Sequence, residues 1–196
     1  MLSCFKLVLT NQEGGFIMKK RSGTLSLSSC ALMSALLCVC AQIMIPFPGV
    51  PINMALFAVH LAALLLGAGR AAAAALVYLA LGACGVPVFA GFASGPAALL
   101  GPTGGFLLSY PLCALITGVL SQHENCSARR AFLSALAGTL ACSVIGIAWF
   151  MVNTGVEPSA SFFLWWLVYL PGDLMKILLA VVLWRRLRAP LRHLGL

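Results

Sequence analysis

The apolar run from Phe162 to Trp184 carries only two charged side chains, Asp173 and Lys176, in the stretch Leu170-Pro171-Gly172-Asp173-Leu174-Met175-Lys176. Three residues apart on a helix, an acid and a base share one face and can pair. The other acids, Glu13, Glu124 and Glu157, lie in polar stretches, so Asp173 is the sole acid inside an apolar one. A charge held at membrane depth costs several kcal/mol, which favours pairing and an inward orientation. A carboxylate that accepts beside an ammonium that donates suits a neutral polar ring, and the pair reads as the polar anchor of a ligand pocket. A salt bridge that only stitches helices together is the plainer alternative. Pro171 suits the first turn of a helix, and Asp173 then sits where the helix dipole favours an anion.

Other chemistry is poorly served. A membrane hydrolase needs a nucleophile with a positioned base, or a metal cluster. His60, His123 and His193 are dispersed, no HExxH occurs, and no second acid joins Asp173. No GxxxxGK[ST] phosphate loop is present, so the chain does not itself hydrolyse ATP. Cys38 and Cys40 have one residue between them, which is neither a redox CxxC nor a zinc knuckle, and most cysteines sit in apolar segments as small hydrophobes. Neither enzyme activity, nor a cofactor, nor a metal is expected.

The elements that must position this pair follow from composition. The 196 residues are 62% hydrophobic and 8% charged, with a mean hydropathy of +1.05. Soluble domains carry roughly a quarter charged residues, and a fold of this size has too little interior to hide so much apolar surface. A soluble enzyme, a disordered protein and a nucleic-acid binder are excluded, and the bilayer is the expected apolar solvent. The fold class expected is an all-α integral membrane protein, with six transmembrane helices in a bundle.

Spans of about 20 apolar residues are required. They are expected at about Leu25–Ile45, Ile52–Leu66, Ala71–Leu81 or slightly beyond, Gly105–Leu120 and Ala131–Val152, with a last helix from Pro171 to about Leu187. Phe162, Phe163, Trp165, Trp166 and Tyr169 would precede that helix as an interfacial or re-entrant segment. Residues 1–17 read as a loose tail or a misassigned start, with one membrane domain over 18–196. Lys19, Lys20, Arg21, Arg70, Arg129, Arg130, Arg185, Arg186, Arg188 and Arg192 then fall on one face, while the opposite loops have no Lys or Arg. The basic face is cytoplasmic, with both termini on it, in a bacterial cytoplasmic membrane. The excess of Lys+Arg 12 over Asp+Glu 4 is thereby explained without nucleic acid.

The outer loop from Gly82 to Gly105 is rich in Gly and Pro and has no charge. Such backbone persists at membrane depth only when packed into protein or lining a cavity. Val86, Val88, Phe89, Phe92, Leu99 and Leu100 argue for a lid folded over a pocket rather than a solvated linker.

The segments PINMALFAVHLAALLLG, LVYLALGACGVPVFAG, LLGPTGGFLLSYPL and LPGDLMK occur in this order, and together they resemble the BioY family, the biotin-binding S components of energy-coupling-factor (ECF) transporters, over about residues 25–187. The resemblance implies a six-helix bundle that captures biotin from outside and passes it inward, with separate coupling and ATPase subunits as partners unless it works alone by facilitated exchange. It also implies a small-xxx-small docking pattern on the first helix, matched here by Ala31 and Ala35. Where the family commonly has Pro-x-Thr-x-Gln, this chain has Pro51-Ile52-Asn53-Met54-Ala55, so the glutamine is absent and Asn53 offers the amide. Where some members have a polar residue after PVFA, this chain has Gly91-Phe92. Under this resemblance Asp173 accepts a ureido N–H of biotin with Lys176 beside it, or Lys176 faces the valerate carboxylate. Phe89, Phe92 and Tyr110 would wall the pocket, and Asn53 and Thr103 would add hydrogen bonds. An S component for another vitamin, or a membrane assembly protein without a transport role, are the competing readings.

Overall fold

The structure is a computed structural model that describes residues 23–45, 52–122, 126–156 and 158–193. The 1–17 segment, the Lys19-Lys20-Arg21 cluster and the prolines of residues 46–51 lie outside the described residues.

Among the described residues seven α-helices dominate: α1 (Gly23–Gln42), α2 (Ala55–Leu66), α3 (Ala68–Ala83), the short α4 (Gly95–Leu100), α5 (Gly104–Ser121), α6 (Ala128–Thr154) and α7 (Pro158–His193). Helix α2 is the axis. Ten of its residues, Ala55–Ala63 and Leu66, are buried, and α1, α3, α5 and α7 all pack on it. A helix apolar all round has no face suited to water, so enclosure by neighbours is its stable state.

Many large apolar side chains also lie on the exterior. Leu27, Leu32 and Val39 on α1, Leu108 and Val119 on α5, Leu133 and Val144 on α6, and Met175 and Leu178 on α7 are all exposed. An apolar belt of this breadth on a soluble molecule would aggregate, whereas lipid solvates it. Helices α5 and α6 are long and apolar enough to cross a bilayer by themselves. Helices α2 and α3, with 12 and 16 residues, are shorter.

Small residues let the helices approach closely. A Cβ on Gly118 of α5 would strike the backbone of Ala68 on α3, and one on Gly138 of α6 would strike Thr117 of α5.

Arg70, Arg130 and Arg188 gather at one end. The Cys30 thiol on α1 lies 3.5 Å from the Arg70 carbonyl, Arg130 Nε donates to the Leu120 carbonyl at 3.1 Å, and Arg188 donates to the Cys126 carbonyl at 3.0 Å. At the other end, β1 (Met44–Ile45) pairs antiparallel with β2 (Ile52–Asn53), with Met44 opposite Asn53. This small ribbon was not anticipated, because two-residue strands give no periodicity to read.

Three expectations about elements need correction. The last helix does not begin at Pro171 after a separate aromatic segment, because α7 runs unbroken from Pro158 to His193. Pro158 takes the first-turn place that Pro171 was assigned, and Pro171 sits inside. Proline deprives one carbonyl, that of Leu167, of its helical donor, whereas unwinding the turn in an apolar setting would expose several groups. At 36 residues the helix is about 54 Å long. Helix α3 also begins at Ala68, three residues before the expected start, and ends at Ala83, within the slight extension expected beyond Leu81. The segment between α3 and α5 is partly regular, with a 3-10 turn at Ala90–Phe92 and the helix α4.

Candidate ligand-binding site

A cavity of about 320 Å³ lies at the end opposite Arg70, Arg130 and Arg188. That volume falls at the lower end of small-molecule sites. Its walls come from the outer parts of the elements just described: Asn53 and Leu56 at the start of α2, Thr103 and Tyr110 along α5, Thr139 and Ser143 on α6, and Tyr169, Asp173 and Lys176 on α7. Phe89, Ala90, Ala93 and Ala98 close it from the segment between α3 and α5. Helices α2, α5 and α7 enter from this end and α6 returns to it, so Leu56, Tyr110, Lys176 and Thr139 mark the floor.

Lys176 Nζ donates to Asp173 Oδ1 at 2.8 Å, and the side chains are 9% and 16% exposed. Both line the cavity. The pair is therefore turned inward, as a costly buried charge requires. A paired carboxylate keeps lone pairs for a ligand donor, and the ammonium keeps protons for an acceptor.

Asn53 is set by the ribbon and by α2. Its Oδ1 accepts the Ala55 N–H at 3.1 Å, satisfying one orphan donor at the helix start and leaving the amide NH₂ uncommitted by that bond. Tyr110 is 5% exposed and stacks near Tyr78, with ring centroids 6.4 Å apart. Phe89 is 1% exposed and meets Tyr78 edge-on at 5.5 Å. Trp149 Nε1 donates to the Gly101 carbonyl at 3.0 Å, tying the stretch before Thr103 to α6.

Of the residues expected at a site, Asn53, Phe89, Thr103, Tyr110, Asp173 and Lys176 come together around this cavity. Phe92 does not, and its expected place in the wall is corrected. It is 70% exposed with φ 60°, a conformation that aims the side chain away from the lining. The cause is Gln42 at the end of α1. Its Nε2 donates to the Phe89 carbonyl at 3.0 Å, and its Oε1 accepts the Phe92 N–H at 3.1 Å. This clamp turns Phe89 in and Phe92 out. Gln42 was missed, although a glutamine closing an apolar helix was a signal available to be read. Thr139, Ser143 and Cys142 were missed because small polar residues in an apolar helix are commonplace. Ala31 and Ala35 are exposed on α1, away from the cavity, in the same surface as Leu27 and Leu32. His60 is fully buried and touches Thr117 and Thr139.

The family model of the BioY family matches residues 13–193. A probable biotin transporter BioY of Pyrococcus horikoshii is 36% identical over 81% of this chain and 93% of the relative. The biotin transporter BioY2 of Lactococcus lactis subsp. cremoris is 33% identical over 86% of this chain and 92% of its own length. The biotin transporter BioY of Thermotoga maritima is 34% identical over 80% and 92%. Among solved structures, the S-component for biotin from an ECF-type ABC transporter superposes with a TM-score of 0.78 at 26% identity, covering 87% of this chain and 94% of that one. With its bundle, its inward acid–base pair and these relatives, the chain belongs to the BioY family.

Proposed function

We propose that this chain is the biotin-binding S component of an ECF transporter, taking biotin from the outer side and releasing it to the cytoplasm. The observation that carries the reading is the Asp173–Lys176 pair, ion-paired and lining a cavity whose other walls are largely apolar. Biotin combines an apolar thiophane ring, a ureido group with two donors and one acceptor, and a carboxylate tail. Asp173 accepts a ureido N–H and Lys176 donates to the ureido oxygen; in the reverse pose Lys176 takes the carboxylate. Asn53 and Thr103 supply further polar contacts, and Phe89 and Tyr110 hold the ring.

Helices α1, α2, α3, α5, α6 and α7 are the six spans of a cytoplasmic-membrane protein. The end bearing Arg70, Arg130 and Arg188 faces the cytoplasm, which places the cavity outward beneath the lid of residues 82–105. The short α2 is admissible as a span because its neighbours enclose it. A transmembrane coupling subunit docks on the α1 face bearing Ala31 and Ala35, where small side chains permit close contact, and separate ATPase subunits supply energy. Equilibrium binding of biotin to the detergent-purified chain, with thiamine and riboflavin as competitors, tests the reading. Saturable biotin binding untouched by the competitors supports it. Displacement by thiamine or riboflavin transfers the chain to another vitamin, and no binding at micromolar biotin removes the proposal.

A further inference from the structure

Beneath the cavity floor lies a buried polar chain that takes no part in the contacts assigned to biotin. His60 Nε2 is 2.8 Å from Thr139 Oγ1, and His60 Nδ1 is 3.2 Å from Thr117 Oγ1. His60 and Thr117 have no exposure and Thr139 has 2%. Only Thr139 of the three lines the cavity. His60 stands one turn below Leu56 on α2, about 6 Å further from the mouth, so its hydrogen-bonded path to the cavity runs through that hydroxyl.

The hydroxyls of Ser109, Ser121, Ser134 and Thr154 each donate to a carbonyl of their own helix. Such back-bonding is the usual fate of a hydroxyl on an apolar helix. Thr139 makes no such bond, and its hydroxyl is held instead by the imidazole. A hydroxyl offers one donor and two acceptor sites. The ring occupies one of these in either tautomer, and the sites that remain sit at the deepest point of α6 that the cavity touches. Thr117 holds the other ring nitrogen, so the imidazole cannot swing away.

We infer that Thr139 is a further ligand-binding residue, hydrogen-bonding the polar head of the ligand opposite the Asp173–Lys176 pair, and that His60 is the positioning residue that aims its hydroxyl. This rests on the biotin reading. It assigns the ureido end to the floor of the cavity and the carboxylate tail to the mouth.

The test is biotin titration of the purified full chain and its variants, with the melting temperature of each ligand-free protein recorded alongside. Thr139→Val, which keeps shape and loses the hydroxyl, is expected to weaken biotin about tenfold, and Thr139→Ser to stay within about threefold of the parent. His60→Leu is expected to weaken binding as much as Thr139→Val, and the double variant to be no more than about twofold worse than either, because one contact is lost in all three. His60→Gln, whose amide can replace the Nε2 contact, is expected to recover most of the loss. A purely structural histidine would lower the ligand-free melting temperature and leave the affinity of the folded protein unchanged. Parent-like affinity in Thr139→Val, penalties that multiply in the double variant, or a His60→Gln as weak as His60→Leu each overturn the inference. A parent chain that does not bind biotin overturns the reading beneath it.

Discussion

The packing of Phe89 makes a sharp prediction about Gly82. A Cβ built on Gly82 would fall on Cζ and both Cε atoms of the Phe89 ring. The ring cannot slide freely, because Tyr78 abuts it edge-on at 5.5 Å and Gln42 holds the Phe89 carbonyl at 3.0 Å. To regain ordinary carbon–carbon contact it must withdraw by about 1.5 Å. Withdrawal runs away from α3, toward the cavity that the ring lines. For Gly82→Ala the overpacking costs about 1–3 kcal/mol, and the gain in helix propensity returns about 0.5–1 kcal/mol. The net loss of stability is thus about 1 kcal/mol, while a cavity of about 320 Å³ has little room to give. Affinity is therefore the sensitive readout: Gly82→Ala is expected to weaken biotin about tenfold or more, and Gly82→Ala combined with Phe89→Leu to recover part of it. Calorimetric titration of the detergent-purified variants reads both. Affinity within twofold of the parent in Gly82→Ala would refute the claim that Phe89 shapes the site through Gly82.

Lys176→Met leaves the Asp173 carboxylate buried and unpaired, and is expected to lower stability by about 3–5 kcal/mol. Adding Asp173→Asn should restore much of the melting temperature in detergent without restoring ligand binding. Gly118→Val sets a side chain against the Ala68 backbone, which cannot yield as a flexible side chain would, so the helices must part; a loss of about 3 kcal/mol or more is expected by thermal unfolding. Cys84, exposed at the end of α3, is expected to react with a membrane-impermeant thiol reagent added outside intact cells. Labelling of Cys84 only after lysis would reverse the proposed orientation.

Much of this was legible in the sequence, for identifiable reasons. Asp173 and Lys176 stood out because charges in an apolar run are rare, and i,i+3 spacing alone puts them on one face. The lid signal came from backbone chemistry: Gly and Pro between Val88, Phe89 and Leu99 read as irregular chain with something to pack on. The errors share one cause, which is that tertiary context outranks local propensity. Pro171 carries the same helix-start signal as Pro158, and the local sequence does not tell which one begins the helix. Phe89 and Phe92 are equally apolar and three residues apart, and their opposite fates depend on Gln42, 47 and 50 residues away. Thr139 was invisible for a similar reason, since its importance comes from His60 on another helix.

The central claim is that the Asp173–Lys176 pair is retained in an apolar span because a ligand's polar head meets it there. Biotin titration of Asp173→Asn and Lys176→Gln, each shown by its elution profile and melting curve to be folded, tests this most directly. Saturable binding by the parent and a loss of about a hundredfold in each variant are expected, since each leaves a desolvated polar partner unmatched. Parent-like biotin affinity in both folded variants would contradict it and return the pair to a bond that merely fastens one turn of α7.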